Sequence, residues 1–509
     1  MRSAILLMKE KISKRMTRKF SKKVTDLDHP LIAFSDHPDD IWTVRDAVRG
    51  VQIFGGIGSG KTSGSGRALA MSFLRSGFGG IILTGKVDET ELWIEYAKQT
   101  GRSKDLLIFS EQSKYRFNPL EYELTREGEG AGQTENLVAL FTSLAKMGNR
   151  LNGGGAGSGD DPFWDMALQR LIKASIDLLK LSRQDITVAN ITKVIREAPT
   201  GQDYRNDYNQ LVGLSSDGNE EAYNNLNEWA NNSYTIYCMV WAENQELNKQ
   251  DSTTLEVVKG YFLTDFAILA EKTRSSITEY FYAFASPFRS GLLAEYFAGT
   301  TSEEILPEVT FEGKIIVLDF PIKKYLQLGI YAQSIYKRLW QQAVERRDTK
   351  KYPVPVFMWV DESQYFLSEE DMMFQTTARS SRACTVMLSQ NISNYYATIG
   401  GKHPQQRVNS LLGNLATKIF HANNDYVTNE WAANTIGKTF QIKTASSVSS
   451  QNDSISVSEA LHFQVEPQEF TLLLSGSEVN DFDVEAYVTS AGKRWSNGAN
   501  FIKAVFKQK

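Results

Sequence analysis

Residues 51–70 read VQIFGGIGSGKTSGSGRALA: a short β-branched and aromatic run, six glycines within the twelve residues Gly55–Gly66, then helix-compatible sequence. No other stretch restricts the fold so tightly. Gly55, Gly56, Ile57, Gly58, Ser59, Gly60, Lys61, Thr62 and Ser63 follow the spacing of a phosphate-binding loop. There the backbone N–H groups must turn inward and approach anionic oxygens closely, which a Cβ would block. In that reading Lys61 reaches the β and γ phosphates of ATP and the Thr62 hydroxyl holds Mg2+. The plainer alternative, a flexible hinge, explains the glycines but not the lysine and threonine that follow them.

A phosphate loop calls for an apolar strand ending in acid, adjacent in space, to hold the metal and prepare an attacking water. VFMWVDES supplies one, with Asp361 as the metal ligand and Glu362 as the group that polarises the water. A second polar strand end, VMLSQN, puts Gln390 28 residues after Glu362, where it can sense a γ phosphate. Just upstream, Arg379 and Arg382 are candidates to complete a neighbouring subunit's site, because a guanidinium answers the charge that a transferring phosphoryl group develops. The sequence leaves open which of the two does so. Lys86 and Asp319 also end apolar runs, where structural roles are the simpler expectation.

Short apolar runs alternate with helical stretches from Leu31 to Glu123 and again from residue 313 onward, the pattern of a parallel sheet with crossovers. Between them the helical spacing of FWDMALQRLIKASIDLLKL and LEVVKGYFLTDFAILAE predicts an all-α insertion over 131–302, which leaves 25–130 and 303–509 as one discontinuous α/β domain. In DPFWD, Phe163 and Trp164 read as packing anchors for that insertion. The serine-rich stretch 445–459 reads as a solvated loop or hairpin.

Residues 1–24 form a basic segment. Over 2–23 there are nine Lys or Arg and one acid, with Met8, Ile12, Met16 and Phe20 recurring as an apolar stripe. Such a helix suits an acidic membrane surface or a partner protein; a frayed basic terminus is the alternative. The whole chain is not a polycation, its net charge being −4, so any nucleic-acid contact must use a local basic surface. Two separated cysteines and five histidines give no metal or disulfide framework, which fits a cytoplasmic protein. No run of about 18 apolar residues is present to span a membrane.

Taken together, these residues resemble the type IV secretion coupling proteins of the TraG/TraD type, ring-forming motor ATPases related to septal DNA pumps. The likeness lies in GGIGSGKT, the strand before Lys86 and Asp88, RFNPL at 116–120, DPFWD, VDES, LSQNISNYYATIG at 388–400, and LLGNLATKIF with Asp425 and Gly437. VEPQEFTLLLSGS stands where that family has its closing strand region. The resemblance implies a RecA-like P-loop NTPase domain with a parallel-rich sheet and an inserted all-α domain, assembled as a homo-hexamer. It further implies ATP hydrolysis that delivers single-stranded DNA with its relaxase, or effector proteins, to the inner-membrane components of a secretion channel. Two departures stand out. The family's usual paired membrane helices are replaced here by the short basic segment, which suggests peripheral attachment to the inner face of the membrane. The family's acidic residue two places before Lys86 is Thr84. An ATP-switched adaptor that recruits substrates, or a chromosomal or defence DNA translocase sharing the motor, would carry the same motifs.

Overall fold

The structure, a computed structural model, describes residues 23–151, 162–399, 403–448 and 453–508. Most of the basic amphipathic segment, including its Met8, Ile12, Met16 and Phe20 stripe, lies outside the described residues. The chain separates into two compact units, one comprising residues up to Ser113 together with Pro307 onward, the other Lys114–Leu306.

The first unit is built on a nine-stranded sheet. In chain order, β1 (Pro30–Ala33) and β2 (Ile41–Thr43) form a separate small hairpin, followed by β3 (Val51–Phe54), β4 (Gly79–Leu83), β5 (Leu106–Ser110), β6 (Ile315–Asp319), β7 (Val356–Val360), β8 (Ala383–Ser389) and β9 (Thr417–Phe420). β10 (Lys438–Val448) and β11 (Asp453–Phe463) make an antiparallel ribbon of their own, the hairpin expected over 445–459. β12 (Asp483–Ser490) and β13 (Phe501–Lys507) close the order β13-β12-β9-β3-β8-β7-β4-β6-β5. β9 through β5 run parallel, and β12 and β13 add antiparallel to that edge.

β4, β7 and β8 are buried along their whole length, as continuous apolar runs between helical layers must be. Aromatic side chains join the sheet to the helices Arg67–Arg75 and Glu89–Gln99. Phe73 stacks on Phe78 at 5.2 Å, and Trp93 stacks on Phe357 at 5.8 Å while meeting Trp359 edge-on at 5.3 Å. One expectation fails here. The stretch resembling a closing strand, VEPQEFTLLLSGS, folds as a short helical turn over Pro467–Leu472, and β12 and β13 finish the sheet instead. A proline at the first helical position after Glu466 favours the turn.

The second unit contains helices and no strand among the described residues. Its RFNPL stretch is a helix start. The Asn118 side chain accepts from the N–H groups of Leu120 (3.0 Å) and Glu121 (3.3 Å), Pro119 opens the helix Pro119–Thr125, and Phe117 and Leu120 are buried. In the helix Pro162–Leu181 the anchoring differs from expectation. Phe163 is half exposed at 51%, touching Trp164 edge-on, whereas Leu168, Leu171 and Ile172 fill the core. Phe163 and Trp164 sit in the first turn, and the buried stripe begins only at the next.

Candidate nucleotide site at the carboxyl edge of the sheet

Parallel register brings the carboxyl ends of β3, β8, β7 and β4 to one edge: Phe54 pairs with Ser389, Val360 with Met387, and Leu83 with Val360. In open α/β sheets this edge is where ligands bind. It gathers Gly55–Ser63, Gly85–Glu89, Asp361–Gln364 and Gln390.

The glycine loop leaves β3 with the Gly55 N–H donating to the Ser389 carbonyl and the Gly56 N–H to Ala422. Gly58 and Gly60 have φ of +71° and +80°, values that an L side chain rarely adopts, and Gly58 has open space where a Cβ would stand. Ile57 is exposed at the tip, Lys61 is buried, and the buried Ser59 hydroxyl has no hydrogen-bond partner. Two left-handed glycines, a buried lysine and an unsatisfied hydroxyl fit a phosphate chain. Past Lys61 the chain makes a π-helical turn over Thr62–Gly66 before the α-helix Arg67–Arg75.

Thr62 Oγ1 stands 3.4 Å from Asp361 Oδ2, an alcohol and a carboxylate from positions 299 residues apart, which is a donor set suited to Mg2+. Glu362, adjacent to Asp361, adopts a left-handed backbone (φ 45°, ψ 45°), an uncommon geometry for a residue with a Cβ. Its Oε1 lies 3.2 Å from Lys86 Nζ, and its Oε2 accepts from Gln364 Nε2 at 2.9 Å. Burial opposes ionisation of Glu362. The hydrogen bond from Gln364 and the charges of Lys86 and Lys61 outweigh it, so the carboxyl titrates below its ordinary range.

Lys86 also lies 3.8 Å from Asp361 Oδ2. Burial opposes its charge, but the surrounding carboxylates prevail and push its ammonium upward. A structural role alone was the simpler expectation for Lys86; in the fold it is the cation between the two acids. Thr84, which departs from the family pattern, is fully buried: its hydroxyl donates to the Leu318 carbonyl at 2.8 Å. Glu89 brings an acid to the same neighbourhood, its Oε2 accepting from the Gly85 N–H at 2.8 Å. Burial and the nearby Asp361 push its carboxyl well above the ordinary range.

His421 is a further residue that the sequence reading passed over. It follows β9, is fully buried, and its Nδ1–H donates to the Glu485 carbonyl at 3.1 Å, which leaves Nε2 to accept from the Ser65 hydroxyl at 2.7 Å. Burial drives its pKa down to about 3. Its only sequence signal is its position directly after an apolar strand in a chain with five histidines.

Gln390 is half-buried directly after β8, and its backbone carbonyl accepts from Asn423 Nδ2 at 2.8 Å. Arg379 and Arg382 precede the other end of β8, roughly 20 Å away at ~3.3 Å per residue. Arg379 is exposed. Arg382 has φ +50°, and its guanidinium donates to the carbonyls of Thr25 (2.9 Å) and Pro353 (2.7 Å).

The family described as the TraM recognition site of TraD and TraG matches residues 355–483. The fold matches the plasmid coupling protein TrwB in complex with the GTP analogue GDPNP, at 12% identity over 98% of this chain and 92% of that one, TM-score 0.56. TrwB in complex with ADP and Mg2+ matches at 12% identity over the same shares, TM-score 0.55, and unbound TrwBdeltaN70 at 11% identity over 97% and 91%, TM-score 0.55. The chain is similar to the conjugative coupling proteins of the TraG/TraD type. Its coupling-protein fold is the RecA-like α/β architecture with an inserted all-α unit. No curated protein matches it. The family match runs from β7 through β11 and ends at the first residue of β12, and so takes in Asp361, Glu362 and Gln390. No helix among the described residues is long and apolar enough to cross a membrane.

Proposed function

We propose that the chain is a coupling-type motor ATPase that moves DNA, or protein attached to it, toward a conjugation channel. The observation that carries this reading is the meeting of Thr62, Asp361, Glu362 and Lys86 at one sheet edge beside the buried Lys61, with Thr62–Asp361, Lys86–Asp361 and Lys86–Glu362 separated by 3.2–3.8 Å. Lys61 and the inward backbone of Gly55–Thr62 bind the β and γ phosphates of ATP. Thr62 and Asp361 hold Mg2+, which when bound neutralises charge on the β and γ oxygens. Glu362, kept ionised, takes a proton from the attacking water. Lys86 fixes that carboxylate and offsets the negative charge of the two acids. Gln390, level with Gly55 across the β3 and β8 pairing, reads the presence of the γ phosphate.

Assembly as a homo-hexamer would bring a neighbour's arginine to each site, and Arg379 is the available candidate because Arg382 is held by backbone carbonyls. The match of residues 355–483 to a TraM recognition site supports a relaxosome protein as partner.

The test is ATP turnover by the purified chain with and without single-stranded DNA, for wild type and Glu362→Gln. Turnover should fall by roughly 10²–10⁴-fold in the variant, with nucleotide binding retained. Turnover near wild type in Glu362→Gln would remove the base assignment. Turnover in an oligomeric preparation that DNA leaves unchanged at low salt would remove the DNA-pump reading and favour the recruiting adaptor.

A further inference from the structure

Glu362 is held by more than its charge partners. Gln364, itself 4% exposed, donates from Nε2 to Glu362 Oε2 at 2.9 Å, and its Oε1 accepts from the Ser389 hydroxyl at 3.0 Å. The amide can be oriented only this way, since the reverse would set its carbonyl oxygen against a carboxylate. Ser389 is the last residue of β8 and directly precedes Gln390. The backbone between Glu362 and Gln364 is fastened to the same strand, because the Ser363 hydroxyl donates to the Leu388 carbonyl at 2.7 Å. The Tyr395 hydroxyl, 2.5 Å from Ser363 Oγ and 2.9 Å from Gln52 Oε1, extends these ties to β3. All of these groups are buried.

An acid at an exposed strand end would turn toward water. Glu362 instead has one oxygen beside Lys86 and the other on Gln364, with a left-handed backbone beneath it. Two ties therefore fix the aim of the carboxylate: a cation from the segment after β4 and an amide that reaches the end of β8.

We infer that Gln364 is a positioning residue that aims Glu362 and couples its orientation to the end of β8, where Gln390 begins. This rests on Glu362 acting as the base. Movement of the β8 terminus with the nucleotide state would pass through the Ser389 hydroxyl to the Gln364 amide and so to the carboxylate, with no contact between Gln364 and nucleotide.

The test uses the full chain, ATP and four variants: Gln364→Met, Ser389→Ala, the double variant and Glu362→Gln. Gln364→Met keeps the side chain's length and removes its polar atoms. It should lower kcat roughly tenfold to a hundredfold, the scale of a displaced reacting group, and leave KM for ATP near wild type; Tm should fall modestly, because two buried hydrogen bonds are lost, with turnover measured well below the unfolding transition. Ser389→Ala should give a smaller loss, and the double variant should be no worse than Gln364→Met, because the serine acts through the amide. A kcat within twofold of wild type for Gln364→Met, a double loss equal to the product of the single losses, or KM and Tm changes that account for the loss would each overturn the inference. An inactive Glu362→Gln beside a fully active Gln364→Met overturns this inference alone; an active Glu362→Gln overturns the base reading as well.

Discussion

Lys86 shows how much a single side chain's meaning depends on its neighbours. In the sequence it is a lysine after IILTG; in the fold its Nζ stands 3.2 Å from Glu362 and 3.8 Å from Asp361, with Glu89 close behind. Replacing it by methionine leaves buried acids without their cation, and a destabilisation of about 1–3 kcal/mol is expected in urea unfolding. Mg2+ with ADP should stabilise Lys86→Met more than wild type, since the metal restores positive charge at the acids; an equal Tm gain in both proteins would count against the arrangement. His421 gives a pH dependence. Its imidazole takes a proton at about 6.5 in the unfolded chain and only near 3 when buried, so its contribution to stability is complete above pH 6.5 and declines as pH falls toward 3. His421→Gln should flatten the stability curve across that window by up to about 1.4 kcal/mol per pH unit, read from urea midpoints at a series of pH values. Asp361 and Glu362 were legible because a strand followed by two acids is a pattern along the chain. Glu89 and Gln364 were not, and Lys86 and His421 showed only that each follows an apolar run, because their roles arise from strand adjacency in the sheet and from burial.

At the level of elements, the second half of the glycine stretch has its own explanation. A helix from Lys61 to Ser76 matches the sequence pattern, yet the chain makes a π-helical turn over Thr62–Gly66 and becomes α-helical only from Arg67. The Gly66 N–H donates to the Lys61 carbonyl at 2.9 Å, and a Cβ on Gly66 would stand 2.8 Å from that same oxygen. A Cβ on Gly64 would meet Val484 and Phe506 of β12 and β13 at 3.2–3.5 Å. The close neighbours are therefore the loop's own carbonyl and two apolar side chains. Gly66→Ala should destabilise by about 1–3 kcal/mol and weaken nucleotide binding, because the turn that sets Lys61 cannot keep its geometry. Gly64→Ala should be near neutral, since the gain of ~1 kcal/mol in helix propensity offsets a small shift of Val484. Calorimetric Tm and nucleotide titration of the two variants separate these outcomes; equal behaviour would make the π turn incidental. The parallel strands were readable because each is a continuous apolar run. The order in which they pair was not, since β8 enters between β3 and β7 by a contact that no run of sequence announces. The strand region assigned to VEPQEFTLLLSGS failed for the converse reason: an apolar run after a proline suits a helical turn equally well.

For the whole molecule, charge decides how a DNA substrate could be held. A net charge of −4 spread over 509 residues gives no general attraction for a polyanion, so a motor that grips single-stranded DNA must do so through a local basic surface. Each phosphate neutralised releases condensed counterions, and for single strands the logarithm of the binding constant falls with the logarithm of salt concentration at a slope of roughly −0.7 per contact. The DNA concentration that half-activates ATP turnover should therefore rise with salt along a straight log–log line. The slope divided by about 0.7 then gives the number of phosphates that the protein contacts. Basal turnover without DNA should change little over the same range, because Lys61, Asp361 and Glu362 are buried and weakly screened. The measurement is ATP turnover against DNA concentration at several salt concentrations, in one buffer and at a fixed Mg2+ level. A half-activating DNA concentration that is independent of salt would mean that the stimulating contact is not with the phosphate backbone. A steep loss of basal turnover would instead point to a salt-sensitive subunit assembly of the kind proposed above, in which the exposed Arg379 would face a neighbour.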